Sequence, residues 1–200
     1  DRFNLEEARR NPTGMPDAEA SAQAEEYLQK CIENQDSAGG VVSCKVHGMP
    51  AGIGEPVFDK LDACLGQAVM SIGAVKAFAV GDGCEVSKKN GSTNNDAFCN
   101  VNGQISKKTN HAGGILGGIS DGSDIILRAY FKPTPSIYQK QQTVNQAGEE
   151  IEIQIKGRHD PIVVSRAVVV VEAMTAVTIL DELLRNMTSR LDGIKKFYHK

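Results

Sequence analysis

The stretch Lys156-Gly157-Arg158-His159-Asp160-Pro161 sets a guanidinium, an imidazole and a carboxylate on three consecutive positions. Arginine offers an anion a planar fork of donors, histidine changes charge near neutrality, and aspartate can accept or pass a proton. Gly157 before the triplet and Pro161 after it make the segment a shaped turn rather than a helix interior. Alone, such a triplet is commonly a solvated surface cluster. Here Ile151 to Ile155 reads as a strand ahead of it, and an apolar run with helical spacing follows. Charges held between rigid elements are where binding and proton chemistry are often placed.

Two further segments carry ligand-type chemistry. Lys132-Pro133-Thr134-Pro135-Ser136-Ile137 puts one ammonium and two hydroxyls on a proline-stiffened turn, suited to a phosphate or an anionic ring. The stretch from Asn110 to Gly122 is rich in glycine but lacks the Gly-x-Gly opening of a dinucleotide fingerprint. It reads either as a flexible loop or as backbone that approaches a planar or anionic ligand, with Ile115, Leu116 and Ile119 as anchors. Cys44 and His47 have a metal-like spacing, yet in a strand residues three apart face opposite ways. Both read as structural, and no metal is expected.

The 200 residues, 40% of them hydrophobic, suffice for one domain with a core, and 1–200 reads without a linker or repeat. A net charge of −3 gives no overall pull toward nucleic acid or an anionic membrane. No run has the length of a membrane span. Five cysteines without a Cys-x-x-Cys make a disulfide framework improbable and fit a reducing cytoplasm. The chain opens at Asp1, which suggests that it is cut from something longer.

Pro16-Asp17 opens a helix with Ala20, Ala24, Tyr27, Leu28 and Cys31 on one face. Val41 to Val46 is a strand, and a Gly/Pro-rich turn from Gly48 to Pro56 follows. Val57 to Ile72 is the next amphipathic helix, Val75 to Val80 a strand, and Gly81-Asp82-Gly83 a turn. The polar residues 87–110 read as a long mobile loop. Strands are expected at Asp124 to Phe131, Gln142 to Val144 and Ile151 to Ile155, then a helix through Ala173 to Met187, with 195–200 a frayed tail. Helices and strands mix without regular alternation, which predicts an α+β fold with a mostly antiparallel sheet packed on helices.

Five of these segments, in order and spacing, resemble the chorismate synthase family: Gly52-Ile53-Gly54-Glu55-Pro56-Val57-Phe58-Asp59-Lys60-Leu61-Asp62-Ala63, Met70-Ser71-Ile72-Gly73-Ala74-Val75-Lys76, Asn110 to Ser120, Lys132 to Ile137, and Gly157-Arg158-His159-Asp160-Pro161. The resemblance runs from about residue 10 to the end of the last long helix, and it starts midway through the family's sequence. The N-terminal half, with a Gly-Glu-Ser-His-Gly segment and an arginine-rich segment, is absent, so the chain resembles a C-terminal portion.

The resemblance implies a portion of a β-α-β sandwich and a lyase that converts 5-enolpyruvylshikimate 3-phosphate to chorismate and phosphate. That reaction belongs to the shikimate pathway of aromatic amino acid biosynthesis. The resemblance further implies reduced FMN as cofactor, held by Gly73, Ala74, Gly117, Lys132, Pro133, Thr134, Pro135, Ser136 and Arg158. Asp160 is the expected proton-handling residue, because like charge and burial beside a flavin anion favour its protonated form. His159 either orients Asp160 or is a structural histidine. The family assembles as a homotetramer. With half the substrate cage missing, the isolated chain is expected to be inactive. The alternatives are a non-catalytic flavin- or anion-binding module of other ancestry and a structural domain whose glycine loops are only turns.

Overall fold

The computed structural model describes residues 3–157 and 160–198. In chain order the elements begin with α1 (Leu5–Arg10), α2 (Ala18–Glu33), β1 (Gly40–Val46), α3 (Leu61–Met70) and β2 (Val75–Val80). A 3-10 turn at Gly83–Lys88 leads to α4 (Gly91–Asn94), β3 (Phe98–Val101), β4 (Gln104–Lys107), β5 (Ile115–Leu116) and β6 (Ile119–Ser120). Then come β7 (Ile125–Phe131), β8 (Gln141–Val144), β9 (Glu150–Ile153), α5 (Val164–Asn186) and α6 (Leu191–Tyr198). The fold is α+β.

The chain forms two compact units, Asp1–Val41 with Phe131–Val168, and Val42–Tyr130 with Val169–Lys200. In the first unit, Asp17 caps α2 by accepting from the Glu19 and Ala20 N–H groups at 2.9 and 3.1 Å. This helix buries Ser21 and Cys31, while Tyr27 on the expected inner face is exposed. β8 and β9 pair antiparallel with Thr143 opposite Ile151, and Gly148 turns the chain between them. Ala38 forms a parallel bridge to Ile162 and donates to the Pro161 carbonyl at 2.8 Å.

The second unit is built on a sheet of order β1-β7-β2. β7 alternates, with Ile125, Leu127 and Ala129 wholly buried, as period-two geometry requires of a strand covered on one face. α3 packs on β2 and buries Leu61, Leu65 and Val69, one helical turn apart. It starts later than Val57 because residues 55–59 close a small loop: Glu55 and Asp59 exchange backbone hydrogen bonds at 2.9 and 3.0 Å, and Val57 sits at φ 81°. In α5, Val171, Thr175, Ile179 and Glu182 are buried, whereas Val177, Leu180 and Leu184 are exposed.

The segment 87–110, expected as a long mobile loop, instead contains regular elements. It contains part of the 3-10 turn, then α4 with its Asn90–Thr93 capping box, then the antiparallel β3–β4 hairpin. Among the described residues no helix is long and apolar enough to cross a membrane.

Candidate functional site

In the first unit the Lys132–Ser136 segment leaves the end of β7 pressed against Gly39. A Cβ on Gly39 would lie 2.6 Å from the Phe131 carbonyl oxygen and 3.2 Å from the Pro133 Cδ, so only glycine admits this approach. The Ser37 hydroxyl donates to the Thr134 carbonyl at 2.7 Å and fixes the segment from the same side. The Thr134 hydroxyl itself is buried and has no hydrogen-bond partner among the described residues. Lys132 is exposed and forms no ion pair among them. A buried hydroxyl without a partner costs free energy unless something supplies one, so this segment has donor capacity to spare.

Ser136 and Asp160 line one cleft of about 70 Å³, together with Ser37 and Tyr138. That is well below the ~300–1,000 Å³ of small-molecule pockets, so the cleft can take a polar group but not a whole cofactor. Asp160 is one-third exposed, with a side-chain relative accessibility of 34%, and its Oδ2 lies 2.9 Å from Arg166 Nη1. Pro161 and Ile162, tied to Ala38, hold its backbone. Further back along the chain, the Tyr138 hydroxyl donates to the Gly157 carbonyl. Arg158 and His159 lie outside the described residues.

The second unit carries the other expected cofactor residues. Gly73 and Ala74 form the turn between α3 and β2, with Ala74 in the left-handed region at φ 69°. Gly117 sits in the β5–β6 turn at φ 61°, with open space where a Cβ would project. That turn abuts the start of α3, where the Leu61 N–H donates to the Gly118 carbonyl at 2.8 Å. The two glycine sites therefore lie at opposite ends of α3, about 15 Å apart at 1.5 Å per helical residue.

What the sequence reading missed is the scaffold of the glycine-rich stretch. The Asp96 carboxylate accepts from the His111 and Ala112 N–H groups at 2.7 and 3.0 Å and from the Thr109 hydroxyl at 2.7 Å. Burial alone would raise this carboxyl, and these donors outweigh it and hold it below its usual range. The Asn110 side chain bridges the Asp124 carbonyl and the Gly114 N–H, each at 2.8 Å. Asp82 accepts from Lys89 and, at 2.6 Å, from His111 Nδ1. Asp and Asn interspersed through a polar stretch are the signal that pointed there, since these side chains cap backbone groups.

A larger polar cavity of about 490 Å³ lies beside β4. Its charges are largely spent internally: Lys107 on Asp121, and Asp124 on Lys45 and His47 at 3.1 and 2.9 Å. His47 thus has a carboxylate partner, and among the described residues no group of three or more His, Cys, Asp or Glu could hold a metal ion.

The family model for chorismate synthase matches residues 3–184. The chorismate synthase of Lachnoclostridium phytofermentans is 62% identical over 191 residues, which are 95% of this chain and 52% of that protein. That of Agathobacter rectalis is 57% identical over 99% of this chain and 54% of its own length, and that of Archaeoglobus fulgidus 54% over 90% and 50%. The crystal structure of a chorismate synthase superposes with a TM-score of 0.75 at 27% identity, covering 97% of this chain and 52% of that one. The chain thus spans about half the length of the curated relatives it matches. On these grounds it belongs to the chorismate synthase family.

Proposed function

We propose that this chain supplies the C-terminal part of a chorismate synthase, and with it much of the FMN site and the proton-handling carboxylate. The reaction is a 1,4-elimination: a carbon–oxygen bond to phosphate and a ring carbon–hydrogen bond break in 5-enolpyruvylshikimate 3-phosphate, giving chorismate and inorganic phosphate. The chemistry that a reduced flavin supplies when bound is electron density lent as phosphate departs and returned as the ring hydrogen departs, with no net redox change. The full-length protein would work in the cytoplasm as a homotetramer.

The donor set of this chain suits such a cofactor. Lys132 brings a cation with three donors, Thr134 a hydroxyl that lacks a partner among the described residues, and Ser136 a further hydroxyl in the cleft that Asp160 also lines. Pro133 and Pro135 fix φ on either side of Thr134, so little conformational freedom is lost when a ligand binds. The open turns at Gly73–Ala74 and Gly117 admit close backbone approach. Arg158, by resemblance, adds a planar fork for an anionic edge. Asp160 accepts the proton that leaves the reacting pair, and His159 orients it. The Thr134 hydroxyl, buried and without a partner among the described residues, in a segment whose lysine forms no ion pair among them, is the observation that carries this reading.

The test uses a full-length chimera in which these 200 residues replace the matching segment of the L. phytofermentans relative. Lys132→Ala should weaken FMN binding about tenfold to a hundredfold, the loss of one charge-assisted hydrogen bond. An anaerobic titration followed by flavin absorbance measures this. Unchanged affinity would remove the Lys132–Ser136 segment from the cofactor site.

A further inference from the structure

Arg166 occupies the first turn of α5, a turn with no acidic residue. That end of a helix carries the positive pole of the peptide dipoles, so a guanidinium there is unfavourable by itself. Among the described residues its ion-pair partner is Asp160, at 2.9 Å. A half-exposed pair of this kind contributes little to stability, so holding the fold together does not account for it.

What the pair does achieve is geometric. The backbone of Asp160 is fixed from one side: Pro161 has a restricted φ, its carbonyl accepts from the Ala38 N–H at 2.8 Å, and Ile162 bridges Ala38. Arg166 then fixes the carboxylate from the other side, through Oδ2. Oδ1 is left with no protein partner among the described residues, and Asp160 is one of the residues that line the cleft with Ser136.

We infer that Arg166 is a positioning residue: it clamps one oxygen of Asp160 so that the other faces the reacting groups in a single orientation. This rests on the reading of Asp160 as the proton-handling carboxylate. The planar guanidinium suits the task better than an ammonium, because its nitrogens lie in one plane and it remains charged at any working pH.

In the chimera, Arg166→Gln should lower kcat about tenfold or more and leave KM and FMN affinity within about twofold, since orientation matters in the transition state and not in ground-state binding. Arg166→Lys should recover only part of the loss, because an ammonium keeps the charge but not the planar fork. In protein labelled with 13C at aspartate, Arg166→Gln should also move the Asp160 carboxyl-carbon resonance, whereas Ser165→Ala should not. The thermal midpoint should stay at the wild-type value. A normal kcat or an unmoved resonance in Arg166→Gln, beside an inactive Asp160→Asn, would overturn the positioning role alone. A fully active Asp160→Asn protein would instead overturn the reading of Asp160 on which it stands.

Discussion

Asp160→Asn, made in the full-length chimera, should lower kcat about 10²–10⁴-fold, the range expected when a positioned proton-transfer group is lost. Asparagine keeps the size and one carbonyl oxygen, so the cleft beside Ser136 should keep its shape. What disappears is the capacity to accept a proton and the charge that pairs with Arg166. FMN affinity should change little, because the expected cofactor donors are on Lys132, Thr134, Ser136 and Arg158. Single-turnover kinetics under anaerobic conditions, with reduced FMN in excess, separate the chemical step from product release. A rate within threefold of the parent would mean that Asp160 handles no proton.

The largest stability effect is expected at Lys107→Ala. The Lys107 and Asp121 side chains are only 5% and 9% exposed, and the Lys107 ammonium bonds the Asp121 carboxylate. Lys107 also lies 5.6 Å from the centre of the Phe98 ring. Truncation leaves a buried, unpaired carboxylate and should cost about 3–5 kcal/mol. Burial by itself would raise the Asp121 carboxyl. The Lys107 ammonium and the Ser123 N–H and hydroxyl outweigh it and hold the carboxyl below its ordinary range. A group with a depressed folded-state pKa contributes stability above its unfolded pKa and loses it as pH falls through the folded value. The parent should therefore lose stability in acid below about pH 4, and Lys107→Ala should lose less of it there. Urea unfolding at pH 7 and pH 3 checks both the size and the sign. The double substitution Lys107→Met with Asp121→Leu should recover most of the loss, since an apolar pair of similar volume avoids the burial of charge.

Much of this architecture can be read from periodicity. β7 alternates from Ile125 to Phe131, and the strands at 141–144 and 150–153 flank a Gly148 turn, so local pattern and final structure agree. The failures come where local pattern misleads. Val57 and Phe58 extend the apolar spacing of α3 backward, yet they are 77% and 86% exposed because the Glu55–Asp59 loop takes them out of the helix. The valine run at 168–171 is β-branched and ambiguous between helix and strand, which hides the early start of α5. The β3–β4 hairpin sits in a polar stretch, but Asn102-Gly103 was a direct signal: both adopt positive φ, 54° and 85°, as a two-residue hairpin turn demands.

For the site, sequence supplied the residue types and their order. It could not supply the pairing of Asp160 with Arg166, which depends on where α5 begins, nor the three bonds that Asp96 makes, which depend on a chain reversal.

The most direct test is to supply the chimera with 5-enolpyruvylshikimate 3-phosphate and reduced FMN without oxygen, and to quantify chorismate and phosphate together. Equal amounts of both, formed catalytically, are predicted, with the flavin still reduced at the end. Stoichiometric FMN binding with no chorismate formed would contradict the account and mark these residues as a flavin-binding module without synthase chemistry.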